Sequence, residues 1–449
     1  MSTDRPNILF IMDDQHRHDY LGSAGADFLS TPNLDQLASD GVRFTQCTTN
    51  CPVCAPSRIG LASGFQPSRL GSTGNNSYLP DDTTTYYERL RDADYRVGCV
   101  GKLDLAKPDK YNGRDGDHPR LFGWGFTHPV EVEGKMHAGM SDTPQGPYGF
   151  ELEERGLYQD FRADYRSRGG QGWIKNNSHD SILPTDAFAD SYIGRRSTEW
   201  IDNIPDDFPW HLFVSFVGPH DPFDPPTEFA DKYRTAEMPE AIAPCSHNVP
   251  EWIANRRMDM SADEITEARR QYCAATELID HQVGQILAAL ERRGMRENTC
   301  VIFASDHGEM LGDHGLFTKA LPYEASVRVP LIAAGPGIPQ NRVSNAMVEL
   351  IDVNPTICSL AGLSPQEGID AMSFHGLLRG TEDSHRSETV SAIRDFRMIR
   401  TAEYKLIEYT DGSIHLFDLS NDPNEQTNMA AQNPELVSRL GDRLRARYA

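Results

Sequence analysis

Asn7-Ile-Leu-Phe-Ile-Met12 runs straight into Asp13-Asp14, and Thr299-Cys-Val-Ile-Phe-Ala-Ser305 runs in the same way into Asp306-His307. Each is a short, mostly apolar run that ends abruptly in groups carrying charge or metal-binding capacity. Such a run suits a strand covered on both faces, because a strand wet on one face would alternate apolar with polar residues. Arg96–Val100 (RVGCV), His211–Val217 (HLFVSFV) and Val329–Ala333 (VPLIA) read in the same way. A long helix precedes the Thr299 run. Ser261 and Glu264 have the spacing of a capping box, and Gly294 is placed to end the helix. Between them Ile265, Ala268, Tyr272, Ala275, Ile279, Val283, Ile286 and Leu290 recur at steps of three and four. Strands alternating with helices predict an α/β fold, a mainly parallel sheet flanked by helices.

Beyond about Asp370 the pattern changes. Arg397–Arg400, Lys405–Tyr409 and Ile414–Leu419 are short, with a turn signal Asp411-Gly412, and a helix is expected from about Pro434. A small antiparallel sheet with a closing helix is expected, dividing the chain into a catalytic unit, 1–375, and a C-terminal subdomain, 376–449. The stretch from Leu103 to about Thr185 is rich in Gly, Pro, Asp and Arg and reads as long loops, which in a compact enzyme tend to be functional.

The 449 residues are 38% hydrophobic and 24% charged, a composition for a globular enzyme. No apolar run approaches the roughly 20 residues that span a bilayer. The Ile8–Met12 run lacks the basic start and the length of a signal peptide, so a cytoplasmic, membrane-free protein is expected. The net charge of −23 argues against nucleic acid as a partner. Eight cysteines in a chain of this size do not read as a disulfide framework. Cys51 and Cys54 form a C-x-x-C pair, but no second pair exists to complete a zinc site, and Pro-Ser-Arg after it fits neither zinc nor redox chemistry.

Polar groups collect after the strands. Asp13-Asp14 follows the first, Lys102 the second, Pro219-His220 the third and Asp306-His307 the fourth. In open α/β sheets the ligand site lies outside the carboxyl ends of the strands. Asp13, Asp14 and Asp306 would repel one another without a cation, and three carboxylates with one imidazole suit a hard divalent ion, Ca²⁺ first, Mn²⁺ or Mg²⁺ next.

The segment Cys54-Ala-Pro-Ser-Arg58, with its small-residue ending at Gly64, resembles the C-x-P-S-R signature of the type I, formylglycine-dependent sulfatases of the alkaline phosphatase superfamily. Other motifs resemble the same family in order. They are Arg5–Gln15, Thr31–Asp35 with Gly41–Phe44 (similar to its first helix and turn), Gly218-Pro-His220, Ser305–Gly315 and the Leu416–Glu425 ending. The resemblance implies the alkaline-phosphatase-like fold and hydrolysis of a small, carbohydrate or aryl sulfate ester. It implies that a formylglycine-generating enzyme converts Cys54 to an aldehyde, whose hydrate is the nucleophile. It makes Asp13, Asp14, Asp306, His307 and the modified Cys54 the metal's neighbours. Arg58 is expected to orient the nucleophile, and Lys102, His220 and Lys319 to hold the sulfate. His314 is a possible pocket residue, whereas His16 and His18 are read as structural.

Two positions depart from the family. Gly101-Lys-Leu-Asp104 has Asp104 where many sulfatases have histidine, and Asp306-His307 replaces Asp-Asn. Both make a phosphonate monoester or phosphodiester hydrolase the alternative. The missing histidine also raises a non-catalytic anion- or metal-binding relative.

Overall fold

The structure is a computed structural model and describes residues 5–168, 174–175 and 177–448. Its large sheet contains β1 (Asn7–Asp14), β2 (Gly41–Thr48), β3 (Arg96–Gly101), β4 (His128–Glu131), β5 (Trp210–Pro219), β6 (Thr299–Ser305), β7 (Arg328–Ala334) and β8 (Arg342–Glu349). The order across the sheet is β4-β3-β5-β1-β6-β7-β2-β8. Every neighbouring pair is parallel except those made by β7, which runs against both β6 and β2.

The apolar runs are buried on both faces, as their composition requires. In β1, Ile8, Phe10 and Met12 join one core layer and Leu9 and Ile11 the other. The first layer is completed by Ile59 and Leu61 of the helix Cys54–Ser63 and by Val353 and Ile357 of the helix Val353–Leu360. The second is completed by Ile279, Val283, Ile286 and Leu290 of the helix Ala262–Arg292. That helix has its capping box, Ser261 with Glu264, and Gly294 takes the left-handed conformation beyond its end, φ 61°.

A second, four-stranded antiparallel sheet has the order β12-β11-β10-β9, from β9 (Thr389–Ala392), β10 (Phe396–Arg400), β11 (Tyr404–Tyr409) and β12 (Ile414–Asp418). The helix Pro434–Arg447 packs Leu440 and Leu444 against its Val390, Ile399, Leu406 and Leu416. Among the described residues no helix is long and apolar enough to cross a membrane.

Three strands of the large sheet escape the apolar-run reading. β4 and β8 are edge strands and β2 is partly exposed, so polar residues are tolerated there. Gly41–Phe44 is therefore strand, not the turn that the resemblance implied. The 103–185 stretch is not all loop either. It carries β4 and the helices Pro119–Gly123, Lys135–Met140, Pro147–Glu154 and Tyr158–Arg168. Pro119 and Pro147 stand at helix starts, where an unpaired N–H is not missed, so they punctuate structure and do not prevent it. Residues 169–173 and 176 of this stretch lie outside the described residues.

The two contributions of the Ala262–Arg292 helix should separate in denaturant unfolding. Ile279→Ala, at a fully buried position, is expected to cost about 2–5 kcal/mol. Ser261→Ala, which loses only the cap, should cost about 1 kcal/mol.

Candidate active site

The sheet register brings the polar clusters together. Asp13 lies opposite Ser305 of β6, Asp14 opposite Pro219 of β5, and Gly101 of β3 opposite Ser215 of β5. The residues that follow these four strand ends are therefore neighbours. The helix Cys54–Ser63 meets the same edge with its first residue. Pro56 fits its first turn because N–H groups there have no partner within the helix.

Asp14, Cys54, Asp306 and His307 are fully buried, and each offers a donor atom within 4.8 Å of the others'. Cys54 Sγ is 3.2 Å from His307 Nε2 and 3.7 Å from Asp14 Oδ1. His307 Nε2 is 3.6 Å from Asp14 Oδ1 and 3.5 Å from Asp306 Oδ1. Its Nδ1 faces the Gly308 carbonyl at 3.0 Å, an arrangement that turns Nε2 toward the group. Asp13 is outside these four, and its Oδ2 is 2.5 Å from His16 Nδ1. His16 Nε2 meets the Tyr20 carbonyl at 2.8 Å. Burial opposes charging His16, yet Asp13 holds its pKa above the ordinary value. Asp13 Oδ1 is left buried with no hydrogen-bond partner among the described residues.

Two cations offset this buried negative charge. Arg58 Nε donates to Asp306 Oδ2 at 2.8 Å, Nη2 to Asp14 Oδ2 at 3.4 Å, and Nη1 to Ser215 Oγ and the Lys102 carbonyl, both at 2.6 Å. Among the described residues its hydrogen bonds go to the two carboxylates, Ser215 and the Lys102 carbonyl. Lys102 Nζ is 2.5 Å from Asp14 Oδ2 and 3.2 Å from Asp104 Oδ2. Burial and the Cys54 sulfur push the Asp14 pKa up, but Lys102, His220 and Arg58 outweigh them and hold it well below the usual carboxylate range. Burial likewise opposes ionisation of Cys54, and Lys102, Lys319, Lys107 and His307 together hold its thiol well below its ordinary pKa. Its place in the first turn of a helix favours an anion as well. The other cysteines are buried and none is in a disulfide.

Beyond Cys54 the surroundings turn cationic. His220 Nδ1 lies 2.6 Å from the Asp221 carbonyl, which requires Nδ1 to carry the proton. Its Nε2 is therefore an acceptor, and Lys319 Nζ donates to it and to Gln15 Oε1. Lys102, His220 and Lys319 border a cavity of about 670 Å³, whose other walls come from Asp104 to Met140. The loop-rich stretch thus supplies the cavity walls, partly through the helix Lys135–Met140. Glu133 lines it too. Its carboxylate accepts the Gly149 N–H at 2.8 Å, and burial pushes its pKa up to about 7. His314 is elsewhere, stacked on Tyr323 at 4.4 Å beside a second cavity.

Apart from Ser57, which stands inside the C-x-P-S-R segment, several supporting residues had no sequence signal of their own. Thr49 Oγ1 and Ser57 Oγ both donate to the Asp306 carbonyl at 2.7 Å. Asn75 Oδ1 accepts the Ala55 N–H at 3.2 Å. Gln15, at φ 75°, holds Glu309 and Asp221 through Nε2. Only Gln15 could have been suspected, since it directly follows Asp13-Asp14.

The profile of the sulfatase family matches residues 6–363, and that of the N-sulphoglucosamine sulphohydrolase C-terminal region matches 312–448. A choline-sulfatase of Rhizobium meliloti is 32% identical, covering 97% of this chain and 84% of its own. An arylsulfatase of Clostridium perfringens is 28% identical over 95% of this chain and 90% of its own. Among solved structures, a phosphonate monoester hydrolase of Agrobacterium radiobacter superposes with a TM-score of 0.85 at 24% identity, covering 99% of this chain and 95% of its own.

Glu133 gives a test of the cavity wall. A carboxyl whose pKa is raised by folding binds protons more tightly in the native state, so its contribution falls as pH rises from about 4.5 to about 7. Glu133→Gln should gain stability relative to the wild type across that window, approaching roughly 3 kcal/mol. Unfolding curves at several pH values check this, and a constant difference would contradict it.

Proposed function

The chain belongs to the sulfatase family, hydrolases of sulfuric esters, and from this premise we propose that it cleaves sulfate monoesters with a nucleophile made from Cys54 and one divalent cation. The observation that carries the reading is the convergence of Cys54, Asp14, Asp306 and His307 within 4.8 Å, beside a cavity bordered by Lys102, His220 and Lys319.

The residues fit a hard cation. Two of the four clustered donors are carboxylates, and Asp13 Oδ1 is a buried oxygen with no hydrogen-bond partner among the described residues. Asp14, Asp306 and His307 would hold the ion, with Asp13 Oδ1 and residue 54 beside them. Ca²⁺ is the first choice, Mn²⁺ or Mg²⁺ the next. Bound there, it would supply Lewis acidity, lowering the pKa of a hydroxyl and polarising sulfuryl oxygens. Oxidised to an aldehyde by a formylglycine-generating enzyme and hydrated, residue 54 would offer one hydroxyl to sulfur and a second whose deprotonation expels sulfate.

The chain's other residues prepare this chemistry. Arg58 keeps two ligand carboxylates in place. Lys102 and Lys319 present ammonium groups to the sulfate oxygens and to charge developing in transfer. Lys319 already donates to His220 Nε2, so the pair has a proton at hand for the departing alcohol oxygen. Cys54 itself, as a thiol, would form an adduct that releases sulfate poorly, which is the chemical reason for the modification.

A phosphonate monoester or phosphodiester reading rests on the same site. It is favoured by His307 among the metal donors and by Asp104, whose carboxylate is spent on Lys102 and Lys107.

After co-expression with a formylglycine-generating enzyme, peptide mass should show conversion of the Cys54 thiol to an aldehyde. The same sample should turn over an aryl sulfate with Ca²⁺ or Mn²⁺. Cys54→Ala should lose turnover altogether. Turnover indifferent to Cys54 would refute the proposal. Side-by-side rates on an aryl sulfate and an aryl phosphonate ester decide between the two readings. Chelation should abolish activity reversibly, and Asp306→Asn should weaken metal binding by at least tenfold, measured by metal titration, because it removes one of the buried charges facing the ion.

A further inference from the structure

Three histidines line the 670 Å³ cavity besides its lysines: His118, His137 and His220. Two are committed. His118 Nε2 is 2.6 Å from Glu131 Oε2, and His220 Nε2 accepts from Lys319. His137 Nε2 is different, being buried with no hydrogen-bond partner among the described residues. Buried polar atoms are nearly always paired, so an orphan on a cavity wall calls for a ligand.

The scaffold around it is firm. His137 stands on the helix Lys135–Met140. Lys135, buried, ties that helix to the loop after β5 by donating to the Pro222 carbonyl at 2.7 Å and to Asp224 Oδ1 at 2.6 Å. The same loop carries His220. The helix is thus pinned to the sulfate end of the cavity, and Met136 and Met140 flank His137 on the wall. Burial, with Lys110 close by, pushes the His137 pKa down, so the ring is neutral and can either donate or accept at Nε2. Asp104, where a histidine was expected, cannot offer this, because its carboxylate is bound to Lys102 and Lys107.

We propose that His137 is a specificity-determining residue: its Nε2 hydrogen-bonds a hydroxyl on the alcohol arm of the ester, while Lys102, His220 and Lys319 hold the sulfate. The proposal rests on the sulfate-ester reading of the site. It makes the preferred alcohol one with a further hydroxyl near the ester oxygen.

The test compares phenyl sulfate with ortho-, meta- and para-hydroxyphenyl sulfate on the mature, metal-loaded enzyme. The wild type should favour at least one hydroxylated isomer by about tenfold in kcat/KM, the worth of one good hydrogen bond. His137→Ala should erase that preference, chiefly through KM, and cost the hydroxylated esters about tenfold more than phenyl sulfate. His137→Gln, which keeps a donor and an acceptor, should restore part of it, and it carries the comparison if His137→Ala does not fold. No isomer preference in the wild type, a preference that survives in His137→Ala, or an equal loss on all four esters would overturn the assignment. Cys54→Ala run alongside keeps the two levels apart: turnover that survives it removes the underlying reading and the assignment with it.

Discussion

Three carboxylates, Asp13, Asp14 and Asp306, stand fully buried at the adjoining ends of β1 and β6. Burying one unpaired carboxylate is costly, and burying three side by side is tolerable only if cations meet them. That constraint organises the surroundings. His16 answers Asp13, Arg58 spans Asp14 and Asp306, and Lys102 answers Asp14. Asp13 Oδ1 is left buried with no hydrogen-bond partner among the described residues. A fold that brings such charge together away from water is spending stability to hold a reactive centre.

The same constraint explains why the helix Cys54–Ser63 is so completely buried. Each of its ten residues is shielded from solvent. Arg58 can serve the carboxylates only if its helix is pressed against the sheet, and Ile59 and Leu61 press it there through the core layer of Phe10 and Met12. Ser57 and Thr49 fix the carbonyl of Asp306 from the same side. The C-x-P-S-R sequence therefore reads as a structural sentence as well as a chemical one. Cys54 faces the metal donors, Pro56 opens the helix, Ser57 grips the opposite strand end and Arg58 neutralises the charge.

Opposite this rigid floor, the cavity's far walls are drawn from Asp104 to Met140, a stretch of short helices and turns. The floor and the far walls thus come from separate parts of the chain. The floor is built on central parallel strands, whose ends can hold positions closely. The walls are built on a segment tied down at a few points, such as Lys135 on Asp224 and Tyr78 on Asp109.

Five of the eight strands of the large sheet, the capped helix before β6 and the polar clusters at the strand ends were legible in the sequence. Their signals are local: apolar runs, three-and-four spacing, a capping box. Eight of the nine candidate residues converge; strand order and chain direction bring Asp14, Lys102, His220, Asp306 and His307 together, while Cys54 and Arg58 come from a helix and Lys319 from a loop. What tertiary structure alone decided is how the groups face one another. Asp13 and Asp14 are neighbours in sequence but take different partners, His16 for Asp13 and Arg58 with Lys102 for Asp14. Arg58 serves carboxylates 44 and 248 residues away, and His137 Nε2 is left buried with no hydrogen-bond partner among the described residues. Pairing at such distances is a property of packing that no local pattern records.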